Sequence, residues 1–118
     1  MTYVRKGKLE SQILREICEY LTTREDLLFW RTNNTPIFGR NNAGEMTWRS
    51  MPKFTPKGIP DIIIINKGQF IGLEVKREGQ NLSTAQILFS RRLEENGAYY
   101  FVARKVEDVI LNLKSLII

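Results

Sequence analysis

Four isoleucines stand in a row at positions 62, 63, 64 and 65, directly after Asp61. Side chains branched at Cβ are stiff and favour extended backbone. Successive side chains of a strand point to opposite faces. An unbroken apolar run therefore predicts a strand buried on both faces, central in a sheet that carries helices on either side. The run continues into Asn66-Lys67-Gly68-Gln69 and then Phe70-Ile71-Gly72-Leu73-Glu74-Val75-Lys76, which predicts a hairpin closed by the two-residue loop Lys67-Gly68. That loop sets Asn66 against Gln69, Ile65 against Phe70, Ile63 against Gly72 and Asp61 against Glu74. Directly opposed residues hold their Cβ atoms about 5 Å apart on one face. Lys76 follows Glu74 by two and shares that face, so Asp61, Glu74 and Lys76 converge, with Gly72 beside them leaving space. A one-residue slip in register would separate the acids.

The remaining elements follow from periodicity and punctuation. Residues 9–22 read as a helix with an apolar stripe of Ile13, Leu14, Ile17, Cys18 and Leu21. One step back along that stripe stands Glu10, an acid on an otherwise buried face. Residues 27–31 read as a short strand. Residues 32–60 hold all four prolines, three glycines and four asparagines, which predicts a long loop without regular structure. Ser83-Thr84-Ala85-Gln86 fits a capping box opening a helix that ends at Asn96-Gly97. Residues 98–103 read as another strand. A last helix starts near Val106, with Val109, Ile110, Leu113 and Leu116 as its stripe. The order is α-β-loop-β-β-α-β-α in a single domain, residues 1–118.

Two counts limit the chemistry. The chain has no histidine and one cysteine, Cys18. Histidine-based triads, histidine-ligated zinc, an intrachain disulfide and cysteine clusters are all excluded. Any catalysis must use carboxylates, lysines, hydroxyls or a metal held by oxygen. Cys18, on the helix stripe, is expected to be inert core. No signal peptide or membrane-length apolar run is visible, so a soluble, cytoplasmic protein is expected. The net charge of +5 favours a polyanionic partner. Residues 31–60 carry Arg31, Arg40, Arg49, Lys53 and Lys57 against the single acid Glu45, and Arg5, Lys6 and Lys8 precede the first helix. Arg49, Lys53 and Lys57 stand nearest Asp61 in sequence and are expected to contact phosphate. Trp48 is a candidate for base stacking, whereas Trp30 is expected to pack in the interior.

Two carboxylates about 5 Å apart repel by about 3 kcal/mol at an effective dielectric of about 20. A hard divalent cation relieves that repulsion, and Mg²⁺ characteristically engages one or two carboxylates together with phosphate oxygens. A neighbouring lysine can neutralise developing charge. Without histidine, these parts suit metal-assisted phosphodiester hydrolysis.

Ile59-Pro60-Asp61 followed by Glu74-Val75-Lys76 resembles the PD-(D/E)xK nuclease motif. With Glu10, Lys57-Gly58, Leu82-Ser83 and Gln86-x-x-Phe89 ending at Gly97, the chain resembles the virus-type replication-repair nuclease (VRR-NUC) domain over residues 9–108. The resemblance implies a restriction-endonuclease-like αβββαβ core, a central mixed sheet flanked by helices, in agreement with the order above. It implies that Asp61, Glu74 and the Val75 carbonyl are metal ligands, Glu10 an accessory acid of the metal site, Lys76 the catalytic lysine and Gln86 an active-site residue. Gln86 fits the capping box equally well, and one side chain is expected to serve only one of the two roles. The resemblance further implies a Mg²⁺- or Mn²⁺-dependent endonuclease acting on branched DNA, in the manner of a Holliday junction resolvase. Two symmetric cuts in a four-way junction would call for a homodimer, with the last helix and Leu116-Ile117-Ile118 as the expected contact. The alternatives are a DNA-binding module that kept the fold without catalysis, or a restriction-type nuclease.

Overall fold

The computed structural model describes residues 7–32, 37–49 and 51–117. The isoleucine run forms the strand predicted for it. In chain order the elements are helix α1 (Glu10–Thr22), strands β1 (Leu28–Arg31), β2 (Ile37–Arg40), β3 (Met46–Arg49), β4 (Ile62–Asn66) and β5 (Gln69–Val75), helix α2 (Thr84–Glu95), strand β6 (Tyr99–Ala103) and helix α3 (Val106–Leu116).

β1, β4, β5 and β6 make one four-stranded sheet in that order. The β4–β5 register is the expected one, with Asn66 against Gln69, Ile65 against Phe70 and Ile63 against Gly72. Lys67 (φ 48°) and Gly68 (φ 80°) both turn left-handed, as a tight primed hairpin turn requires. β1 pairs antiparallel with β4, while β6 pairs parallel with β5, so the sheet is mixed. A parallel neighbour needs a crossover, which α2 supplies.

The two faces of the sheet do different work. Ile62, Ile64, Ile71, Leu73, Val75, Phe101 and Ala103 pack with Ile13, Ile17 and Leu21 of α1 and Val109 and Leu113 of α3 into the buried core. The opposite face carries Ile63, Gly72, Glu74 and Tyr100, and Leu93 of α2 closes over Gly72. Gly72 leaves no open space, contrary to expectation. A Cβ there would lie 2.8 Å from Pro60 Cγ and 3.0 Å from Leu93 Cδ1, so the missing side chain is what lets α2 and Pro60 seat on the sheet.

The α3 stripe is narrower than its sequence suggests, because Ile110 is exposed. Leu116 and Ile117 pack against the monomer's own core, so those two do not offer the free apolar contact expected of them; Ile118 lies outside the described residues.

The expected loop over residues 32–60 contains regular structure. β2 and β3 pair antiparallel as a separate two-stranded sheet, with Phe38 against Trp48. Asn41 Oδ1 accepts from the Ala43 and Glu45 amides, and Gly44 takes φ 82°, so local side-chain bonding and one left-handed glycine close the turn. Four-residue strands hidden among prolines and asparagines give too short a periodic signal to stand out. Arg5, Lys6 and the Arg49 side chain lie outside the described residues. Among the described residues no helix is long and apolar enough to cross a membrane.

Candidate active site

Asp61 sits where the chain enters β4, one position before the isoleucine run. Its Oδ2 accepts from the Val75 amide at 2.8 Å, which ties the acid to the neighbouring strand. On its other side the Thr32 amide donates to the Asp61 carbonyl at 2.9 Å, extending the β1–β4 ladder, and the Thr32 hydroxyl bonds the Pro60 carbonyl.

Glu74 is 2% exposed, an acid inside a sheet of isoleucine and leucine. Burial pushes its carboxyl up to about 9. The neighbouring Asp61 carboxyl adds to this, while Lys76 opposes and Glu10 contributes in the same direction. Asp61, Lys76 and Glu10 therefore all act on this one group, as their sequence positions suggested. The Lys76 amide donates to the Ala103 carbonyl at 3.1 Å, prolonging the parallel ladder and fixing where its side chain leaves the sheet. Farther along, Arg104 Nη1 donates to the Arg77 and Gln80 carbonyls and pins the segment that follows Lys76.

The Gln86 side chain serves the capping box and also reaches Glu74, making two contacts where one was expected. Its Oε1 accepts from the Ser83 amide at 2.8 Å, completing the capping box with Ser83 Oγ, and its Nε2 donates to Glu74 Oε1 at 2.9 Å. An amide has an acceptor at one end and donors at the other, and at the first turn of α2 those ends face opposite ways. Gly58 makes this placement possible. At φ 80° it lies so close to α2 that a Cβ would come within 2.3 Å of the Ala85 carbonyl and 2.8 Å of the Gln86 amide nitrogen.

The other Glu74 oxygen, Oε2, is buried with no hydrogen-bond partner. A buried carboxylate oxygen without a donor is costly, and a second acid, Asp61, acts on the same carboxyl. The crowded pair of carboxyls, one oxygen of which is unmatched, supplies oxygen donors of the kind a hard divalent cation takes. Among the described residues no three acidic or sulfur side chains close on one point. Glu10, at the first turn of α1, reaches Glu74 through its charge without joining such a cluster.

Tyr100 is a neighbour that the sequence did not reveal. It stands opposite Gly72 on the site face, its hydroxyl is buried and unpartnered, and burial together with Glu74 and Asp61 pushes its ionisation upward. Only the parallel β5–β6 pairing brings it here. Cys18 behaves as expected, half-buried with its thiol pushed up by burial. Trp30 does not: it is 45% exposed, because β1 is an edge strand and α2 covers the β5–β6 side of that face. Lys53 and Lys57 are exposed.

No family model and no curated protein matches the chain. Among solved structures, one described as a VRR_NUC domain matches 92% of this chain and 97% of its own, at 19% identity and a TM-score of 0.60. The chain has the VRR-NUC nuclease fold.

Proposed function

We propose that this nuclease-fold chain is a metal-dependent endonuclease that hydrolyses phosphodiester bonds in branched DNA. The observation that carries the reading is the buried Glu74 set against the half-buried Asp61, with Glu74 Oε2 unmatched and Lys76 acting on the same group. A domain that only bound DNA would have no need to keep a buried acid in its sheet with a second acid beside it.

In this reading Asp61, Glu74 and the Val75 carbonyl hold Mg²⁺ or Mn²⁺, which supplies Lewis-acid charge at the scissile phosphate when bound. Glu10 adds negative charge that strengthens the site for a cation. Gln86 holds Glu74 in one orientation through Nε2, as groups behind a metal ligand commonly do. The Lys76 ammonium offsets negative charge that develops on the phosphate in the transition state. Arg49, Lys53 and Lys57 contact the phosphate backbone and position the strand. A homodimer presenting two such sites would suit a four-way junction.

The test is cleavage of matched linear, flap and four-way-junction DNA by the purified protein in Mg²⁺ or Mn²⁺, with light scattering for the oligomer. Metal-dependent cleavage that prefers branched DNA is expected. DNA binding without cleavage in any metal would instead establish a non-catalytic module, and a monomer that cuts flaps but not junctions would remove the resolvase part alone.

A further inference from the structure

We propose that the β2–β3 hairpin is an arm that recognises unstacked bases at a DNA branch, with Trp48 and Phe38 as the stacking platform. The inference rests on the nuclease reading above and adds the feature of the DNA that the enzyme selects.

Phe38 and Trp48 are cross-strand partners, their rings 5.2 Å apart and tilted by 52°. Such a pair ordinarily faces a core. Here the hairpin is a sheet of two strands only, and the pair stays open: Trp48 is 65% and Phe38 52% exposed. Met46 and Arg40, the next pair along, share that face by alternation. A two-stranded ribbon is marginal in water, so large rings displayed on one point to a partner. The radius of gyration is 16.4 Å, against about 13.5 Å for a compact chain of this length, as a projecting arm requires.

Charge identifies the partner. Arg40 is exposed on the arm, and Arg31, Lys53 and Lys57 are exposed in the segments that precede and follow it in sequence. A second copy docking through the same face would set Arg40 against itself, whereas a nucleic acid complements it. The π faces of paired bases are covered by their neighbours in a duplex, and only unstacked bases offer them to a protein ring.

The arm is tied to the body at both roots. Thr32, before the arm, bonds Asp61 through its amide. Gly58, after it, lies against Ala85 and Gln86. The chain is therefore anchored beside the carboxylate site on both sides of the arm, at Thr32 before it and at Gly58 after it.

The experiment uses the full chain carrying Trp30→Phe, so that Trp48 is the remaining indole, in excess chelator to prevent cleavage. Flap DNA should quench Trp48 emission saturably, and a matched linear duplex should not. Trp48→Val keeps a strand-forming residue but lacks a ring; it should weaken flap binding about ten-fold and duplex binding by less than about two-fold. Trp48→Tyr should restore most of the loss. Unchanged emission with flap bound, equal losses on both DNAs, binding of neither DNA, or emission that depends on protein concentration without DNA would each overturn the proposal. Mg²⁺-dependent cleavage of flap DNA by the Trp30→Phe protein, at concentrations that saturate binding, reports the nuclease reading separately.

Discussion

The β4–β5 hairpin and the β2–β3 hairpin are built from the same local device and put to opposite uses. Each joins two short antiparallel strands through a turn with a left-handed glycine, Gly68 in one and Gly44 in the other. β4–β5 lies between two further strands and beneath helices, so its polar residues are forced into a low-dielectric interior, where Glu74 is held neutral up to about 9 without a cation. Among the described residues β2–β3 gains no third strand, and its aromatic residues stay in water. Burial raises the proton affinity of one carboxyl beside another; exposure leaves two rings open to solvent.

The sharpest way to break this contrast is at the carboxylates. Asp61→Asn, Glu74→Gln and Lys76→Ala should each lower the cleavage rate by about 10³-fold or more while leaving DNA affinity largely intact. Chelation should do the same, and Ca²⁺ should support binding without efficient cleavage, since its longer bonds and looser geometry misalign the reacting groups. Wild-type turnover by any of the three variants would remove the site. Gln86→Glu separates the two functions of that residue. Glutamate still serves a capping box, but it cannot donate to Glu74, so cleavage should fall about 10- to 100-fold with little change in Tm.

Glycine substitutions compare the two regions directly. Gly58→Ala drives a methyl into the backbone of α2 at a left-handed φ and should cost about 3 kcal/mol, lowering Tm by about 10 °C. Gly44→Ala meets nothing within 4 Å at a similar φ and should cost about 1 kcal/mol. Equal losses in thermal melts would mean that the approach of Gly58 to α2 is not what positions Gln86.

In metal-free protein the raised carboxyl of Glu74 has a definite sign. Between its ordinary value of 4.5 and about 9, the folded state keeps a proton that the unfolded chain releases. Stability should therefore fall as pH rises through that window, by at most about 1.4 kcal/mol per unit. Melting curves in chelator across pH 5 to 9 check this, and Glu74→Gln should flatten the profile. A Glu74→Gln profile as steep as wild type would show that the slope originates elsewhere.

The smallest effects belong to the exposed cations. Lys53→Ala and Lys57→Ala should each reduce the slope of log affinity against log salt by about 0.9, read from salt titrations of binding. Unchanged slopes in both would leave the two lysines as solvated surface.

Much of the body was legible in the sequence because its signals are local. The Lys67-Gly68 turn fixes a register, alternation then fixes faces, and Asp61, Glu74 and Lys76 follow from counting along two strands. The helix stripe of Ile13, Ile17 and Leu21 and the Ser83 cap were equally readable. The hairpin within residues 32–60 was not, because four-residue strands set among prolines have almost no period to detect. Trp30 was misjudged because hydrophobicity says nothing about which strand will be the edge.

The sequence alone determined which residues share a face, since that depends only on spacing along one chain segment. Tertiary structure decided what each face meets. Pro60 and Leu93 fill the hollow of Gly72, Gly58 admits the first turn of α2, and Gln86 spans from Ser83 to Glu74. The parallel pairing of β6 brings in Tyr100. Each of these contacts joins segments distant in sequence, and periodicity within one segment cannot encode the distance to another. Dielectric follows the same division: the acid at position 74 is written in the chain, but its displacement to about 9 exists only once the sheet and α2 have closed around it.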